Sequence, residues 1–208
     1  MHVITLAGAP SSGKTSVLLH LATRLQKEGV YVAAVKFDAL TSTDHETYQE
    51  RLGIPALLGL SDYLCPDHYY VSNIEEAYSW GLEQEADLLL VETAGLCHRC
   101  APHITGVPAL TVIDNLGGMD APHKMGPSLA QADIVVITKS DLVSQAEREV
   151  FAHSVAEVNA QAQIVFVNGL TGTGSLLLKR HVQALLEAKS EVRPSSSLSG
   201  HDVADKSL

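Results

Sequence analysis

The octet Gly8-Ala9-Pro10-Ser11-Ser12-Gly13-Lys14-Thr15 constrains this chain more than any other stretch. It follows an apolar run, His2 to Ala7, and precedes a helical run, Ser16 to Glu28, so it reads as strand, glycine-containing loop and helix. A polyphosphate needs several backbone N–H donors aimed at it, and glycines let a chain curl closely enough to supply them. The helix N-terminus adds its partial positive charge. Gly8, Ser11, Ser12, Gly13 and Ser16 then form a phosphate cradle, Lys14 reaches the β- and γ-phosphates, and Thr15 places a hydroxyl on Mg²⁺. The competing reading is a structural glycine turn.

Further apolar runs follow at strand length. Val30 to Phe37 ends at Asp38, Ala86 to Glu92 ends in an acid, and Ala109 to Asp114, Asp133 to Ile137 and Gln163 to Val167 continue the series. Their near-continuous apolar character suits strands buried on both faces of a parallel sheet. Helical periodicity separates them, at Ser72 to Glu85, Ser144 to Ala160 and Ser175 to Lys189. The expected fold is therefore α/β, a P-loop NTPase with a mostly parallel central sheet flanked by helices on both faces. Residues 1–189 form one domain, and 190–208, rich in Ser, Pro, Gly and charge, read as a disordered tail. Gly53 to Tyr70 reads as irregular, with Asp44 capping the short helix before it.

In such sheets ligands meet the carboxyl ends of the strands. Asp38 and Glu92 are thereby candidates, with Lys14, for catalysis and, with Thr15, for holding Mg²⁺ or its water shell; Thr41 is a possible second contact. An N-cap or turn role is the plainer alternative for Asp38. Thr93-Ala94-Gly95 follows Glu92, and the Gly95 backbone is placed to report the γ-phosphate to what comes next.

What comes next is Cys97-His98-Arg99-Cys100, holding two of the three cysteines; Cys65-Pro66-Asp67-His68 holds the third. Three cysteines are too few for a disulfide framework, and thiol with imidazole at short spacing can converge on a borderline metal ion. Cys65, His68, Cys97, His98 and Cys100 are the candidate ligands, with His103 a further possibility. Burial of the cysteines as small apolar residues, or a redox pair at Cys97 and Cys100, are the alternatives.

Thr138-Lys139-Ser140-Asp141 differs by one residue from the Asn-Lys-x-Asp base-recognition motif of GTPases. A carboxylate at Asp141 accepts from the ring N1–H and exocyclic amine of guanine, and adenine offers no such pair. Lys139 and Asp141, with the backbone of Asn168, Gly169 and Leu170, are the expected guanine contacts, and GTP the expected nucleotide. A net charge of −10 with no Lys/Arg cluster argues against a nucleic-acid surface. With no apolar run near the roughly 18 residues that cross a bilayer, a cytoplasmic protein without membrane insertion is expected.

Gly8 to Thr15, Asp38 with Thr41, Glu92-Thr93-Ala94-Gly95 and Thr138-Lys139-Ser140-Asp141 together resemble the SIMIBI-class GTPases that insert nickel into hydrogenase and urease, over roughly residues 1–189. The resemblance implies slow GTP hydrolysis to GDP and phosphate, Mg²⁺, and a Cys/His site for Ni²⁺ or Zn²⁺. It also implies a homodimer dependent on nucleotide or metal, and a client metalloenzyme or maturation factor. Cys65-Pro66-Asp67-His68 looks like the family's Cys-Pro-His element with Asp67 inserted, and Thr138 departs from its Asn. A GTP-dependent protein chaperone for a cobalamin enzyme, with structural cysteines, and a small-molecule kinase are the rival functions.

Overall fold

The computed structural model describes residues 1–95 and 103–191. Seven strands lie in the order β3-β2-β4-β1-β5-β6-β7, and every pairing among them is parallel. They are β1 (His2–Gly8), β2 (Val32–Asp38), β3 (Ala56–Leu60), β4 (Leu88–Thr93), β5 (Ala109–Asp114), β6 (Ile134–Thr138) and β7 (Gln163–Phe166). The helices are α1 (Lys14–Gln26), α2 (Asp44–Leu52), α3 (Pro66–Glu83), α4 (Ala121–Lys124), α5 (Gly126–Ala130), α6 (Gln145–Val158) and α7 (Ser175–Glu191). The expected α/β class and the helices on both faces hold.

Strand side chains alternate between two faces, and that alternation decides what meets what. On one face Ile4, Leu6, Val32, Ala34, Leu88, Leu90, Leu110 and Val112 pack under Val17, Leu18 and Leu21 of α1 and Leu178 and Val182 of α7. On the other, Ala33, Val35, Phe37, Leu89 and Val91 pack against α3 through Tyr70 and Ala77. Ile113, Val135 and Ile137 on that same side meet Leu129 of α5 and Phe151 and Val155 of α6. The sheet thus lies between two apolar layers, as its unbroken apolar strands require.

Three expectations need correction. Gly53 to Tyr70 is not irregular: Ala56–Leu60 forms edge strand β3 on β2, and α3 begins at Pro66, six residues before the expected start. Asn73 lies inside that helix and donates from its side-chain amide to the Tyr69 carbonyl at 2.7 Å. Asp44 does not cap α2; Thr43 occupies that position, and Asp44 is the first helical residue, turned to an ion pair. Beyond Glu191, the expected tail lies outside the described residues.

Candidate nucleotide and metal site

β1 ends in Gly8, at φ +148°, where a Cβ would fall 2.1 Å from the Val112 carbonyl oxygen of β5. No other residue lets the chain leave the sheet that close to its neighbour. The loop continues through Ser11 and Gly13, both in the left-handed region, and α1 starts at Lys14. The Lys14 ammonium donates to the carbonyls of Gly8 (3.0 Å), Ala9 (3.0 Å) and Ala94 (3.2 Å), and burial lowers its pKa to about 8. It is folded over the loop. Ser12 is fully buried, and its hydroxyl has no hydrogen-bond partner among the described residues.

Beside this loop opens a cleft of about 410 Å³ lined by Ser11, Gly13 to Ser16, Lys36, Asp38, Asp44, Glu92 and Ala94. The structure therefore gathers the loop, Thr15, Asp38 and Glu92 at the carboxyl edge of the sheet. Glu92 is 1% exposed and takes hydrogen bonds from Thr15 Oγ1 at 3.1 Å, Lys36 Nζ at 2.7 Å and the Tyr48 hydroxyl. Asp38 Oδ1 accepts from the Ala39 amide at 2.8 Å, while its other oxygen lies 3.7 Å from Lys36.

Lys36 and Tyr48 bond to Glu92 and Asp44 pairs with Lys36, and the sequence does not mark these three as site residues. Lys36 ion-pairs with Asp44 at 2.9 Å as well as with Glu92. Burial would lower its pKa, but the Glu92 and Asp44 carboxylates offset this and hold the ammonium above the usual lysine value. One signal is present, a single lysine inside the otherwise apolar run Val32-Ala33-Ala34-Val35-Lys36-Phe37, since lysine is buried only when paired.

The four-residue segment at Thr138 is strapped to the phosphate loop. Thr138 Oγ1 donates to the Ser12 carbonyl at 2.6 Å, and Lys139, at φ +56°, donates to the Ser11 carbonyl at 2.8 Å and lies 3.4 Å from Asp114. Thr138 thus keeps a tie to the loop although it lacks a side-chain amide. Asp141 is exposed. Asn168 Oδ1 closes its own loop on the Leu170 and Thr171 amides at 2.9 Å each, and the Gly169 carbonyl meets His20 of α1 at 3.0 Å. Leu170 is 93% exposed.

Cys65 is the N-cap residue of α3 and His68 lies exposed in its first turn, with Asp67 between them buried at 3% exposure. Among the described residues neither Asp67 carboxylate oxygen has a hydrogen-bond partner, and burial raises its pKa, against the pull of His68 and Lys14. Cys97, His98 and Cys100 lie outside the described residues. Among the described residues no three His, Cys, Asp or Glu side chains are arranged to hold a metal ion. His103 is engaged inside the fold, with Thr5 Oγ1 at 3.4 Å and Thr111 Oγ1 at 3.1 Å from its two ring nitrogens.

A glycine-bearing loop between strand and helix, a lysine folded over it and acids at the neighbouring strand ends define a P-loop nucleotide-binding protein. The chain belongs to the family described as CobW/HypB/UreG, nucleotide-binding domain, which matches residues 2–166. An uncharacterized protein of Methanocaldococcus jannaschii is 48% identical over 88% of this chain and 77% of its own. The urease accessory protein UreG of Photorhabdus laumondii is 30% identical over 82% of this chain and 87% of its own. In fold, the chain is similar to HypB from Helicobacter pylori in complex with nickel, with a TM-score of 0.68 at 19% identity over 94% of this chain and 90% of that one.

Proposed function

We propose that this protein is a GTP-hydrolysing metallochaperone, a nucleotide-dependent homodimer that delivers a transition metal, nickel ahead of zinc, for assembly of a metalloenzyme. One observation carries the reading. A Cβ on Gly95 would lie 1.6 Å from the Gly8 carbonyl oxygen, so the backbone entering Cys97-His98-Arg99-Cys100 starts in contact with the phosphate loop. Whatever moves the loop at the γ-phosphate moves the root of the cysteine segment. Family membership, a relative named as a urease accessory protein and a structural neighbour in complex with nickel support the same reading.

In this mechanism Lys14 leaves the Gly8, Ala9 and Ala94 carbonyls for the phosphates, and the loop amides supply the remaining donors. Mg²⁺ takes oxygen ligands and keeps several waters, a demand that the Thr15 hydroxyl and the Asp38 and Asp44 carboxylates of the cleft fit; when bound it neutralises charge developing on the phosphates. Glu92, held by three donors, orients the Thr15 hydroxyl. Asp141 and Lys139 select guanine, with Asn168, Gly169 and Leu170 closing the base pocket. Loss of the γ-phosphate releases Gly95 and the loop after Asp38, and the metal held by Cys65, His68, Cys97, His98 and Cys100 is passed on. The proposed place of work is the cytoplasm; among the described residues no helix is long and apolar enough to cross a membrane.

The test is oligomeric state and metal stoichiometry with GDP and with a non-hydrolysable GTP analogue in the presence of Ni²⁺ or Zn²⁺. A half-equivalent of metal per chain, appearing with the analogue alone, is expected. Unchanged metal affinity after Cys65, Cys97 and Cys100 all become Ser would sink the metal reading and leave the protein-chaperone one. Tighter binding of ATP than GTP would sink the guanine assignment.

A further inference from the structure

Three carboxylates, Asp38, Asp44 and Glu92, come from three different elements, β2, α2 and β4, and converge beside the phosphate loop. All three face one buried ammonium, that of Lys36, at 3.7, 2.9 and 2.7 Å. Lys36 and Glu92 are register partners on adjacent parallel strands, so the contact is built into the sheet. The contact to Asp44 instead crosses from the sheet to the first turn of α2. The same helix sends the Tyr48 hydroxyl to Glu92.

Lys14 lines the same cleft and is attracted to the same acids, but its ammonium is bonded to the Gly8, Ala9 and Ala94 carbonyls, which leaves Lys36 as the cation that ion-pairs with all three carboxylates. Without Lys36, nothing among the described residues bonded to Glu92 carries positive charge: Thr15 and Tyr48 are neutral donors. Removing the bonded cation from a carboxylate 1% exposed is destabilising.

We propose that Lys36 is a positioning residue, an internal counter-cation that assembles the Mg²⁺ side of the nucleotide site before any divalent ion arrives. It ties the first turn of α2, through Asp44, to Glu92 of β4. The inference rests on the nucleotide-site reading above. Its consequence is that the nucleotide-free protein keeps its site in chelator, and that divalent ion is required only once phosphate is bound. A site whose acids had no internal cation would need the metal to stay folded.

Thermal unfolding of the nucleotide-free protein in EDTA and in about 10 mM MgCl₂ tests this, on wild type, Lys36→Met and Lys36→Arg. Wild type is expected to have the same Tm in both. Lys36→Met is expected to lose roughly 10 °C in EDTA and to recover at least half of it with Mg²⁺, because the ion now supplies the missing charge. Lys36→Arg, which keeps the charge, should remain insensitive to Mg²⁺. An equal Mg²⁺ response in wild type and Lys36→Met overturns the proposal. Should Lys36→Met not fold, Lys36→Met/Glu92→Gln removes the buried charge together with its partner and should fold in EDTA; if the double variant also fails, Lys36 acts by packing and the proposal falls. GDP titration of wild type runs alongside: absence of nucleotide binding would overturn the functional reading while leaving the Mg²⁺ comparison interpretable.

Discussion

A missing methyl group joins the phosphate loop to the segment after β4. Gly95 adopts φ +71°, and a side chain there would meet the Gly8 carbonyl at 1.6 Å and the Lys14 ammonium at 3.3 Å. The near neighbour is backbone, so the clash is relieved only by moving the loop or the segment. Gly95→Ala should therefore weaken GDP binding at least tenfold, about 1.4 kcal/mol, in a calorimetric titration. Wild-type affinity in that variant would mean the two segments separate freely, and the proposed route from γ-phosphate to cysteines would lose its first step. The importance of Gly95 is legible in the sequence, because an acid ending an apolar strand, with a glycine three residues on, is a recognisable phosphate-sensing pattern. Lys36 is not: one charge inside a strand is overwhelmed by its apolar neighbours, and only the register with β4 reveals that Glu92 lies beside it.

Edge strand β3 and the start of α3 depart from the sequence reading for reasons that lie in the elements themselves. Ala56–Leu60 is short, partly exposed and preceded by Pro55, so its apolar run resembles a loop, although Gly59 is required where the Phe37 ring passes 2.7 Å from its would-be Cβ. Pro66 reads as a loop marker, yet proline in the first helical turn has no amide to leave unsatisfied and is pre-set for the helix. The correction changes the chemistry of Cys65-Pro66-Asp67-His68. The segment is a helix N-terminus, and it buries a carboxylate whose oxygens have no hydrogen-bond partner among the described residues. The raised pKa of Asp67 means the folded state holds the proton more tightly than the unfolded chain. Its cost is therefore absent in acid and sets in as pH rises from the unfolded value through the folded one. Asp67→Asn should raise the Tm of the metal-free protein by a few degrees at neutral pH, with the advantage shrinking toward about pH 4. A lower Tm at neutral pH would show that the carboxylate is stabilised as an anion. Should the gain in stability come with a loss of Ni²⁺ or Zn²⁺ affinity, the strain at Asp67 belongs to the metal site.

At the scale of the whole molecule, the number of layers and the position of the site at the strand ends follow from apolar run lengths, whereas strand order does not. Sequential strands need not be neighbours, and β1 lies between β4 and β5, so side chains far apart in sequence share one surface. Thr5 of β1 and Thr111 of β5 thereby flank His103, whose largely buried ring is hydrogen-bonded to both. That burial lowers the His103 pKa to about 4. The unfolded chain, near pKa 6.5, takes up a proton first, so folding stability is fully present above that value and falls as pH drops toward 4. The loss amounts to about 3 kcal/mol for the full interval. Urea unfolding from about pH 7.5 down to about 4.5 should show this slope superimposed on that of the carboxylates, and His103→Asn should remove it. The informative quantity is the difference between the two proteins: a constant offset at every pH would mean that His103 contributes packing and hydrogen bonds alone. A gap that narrows as the solution is acidified would identify its buried neutral imidazole as an acid-labile point between β1 and β5, on the same strand that leads into the phosphate loop.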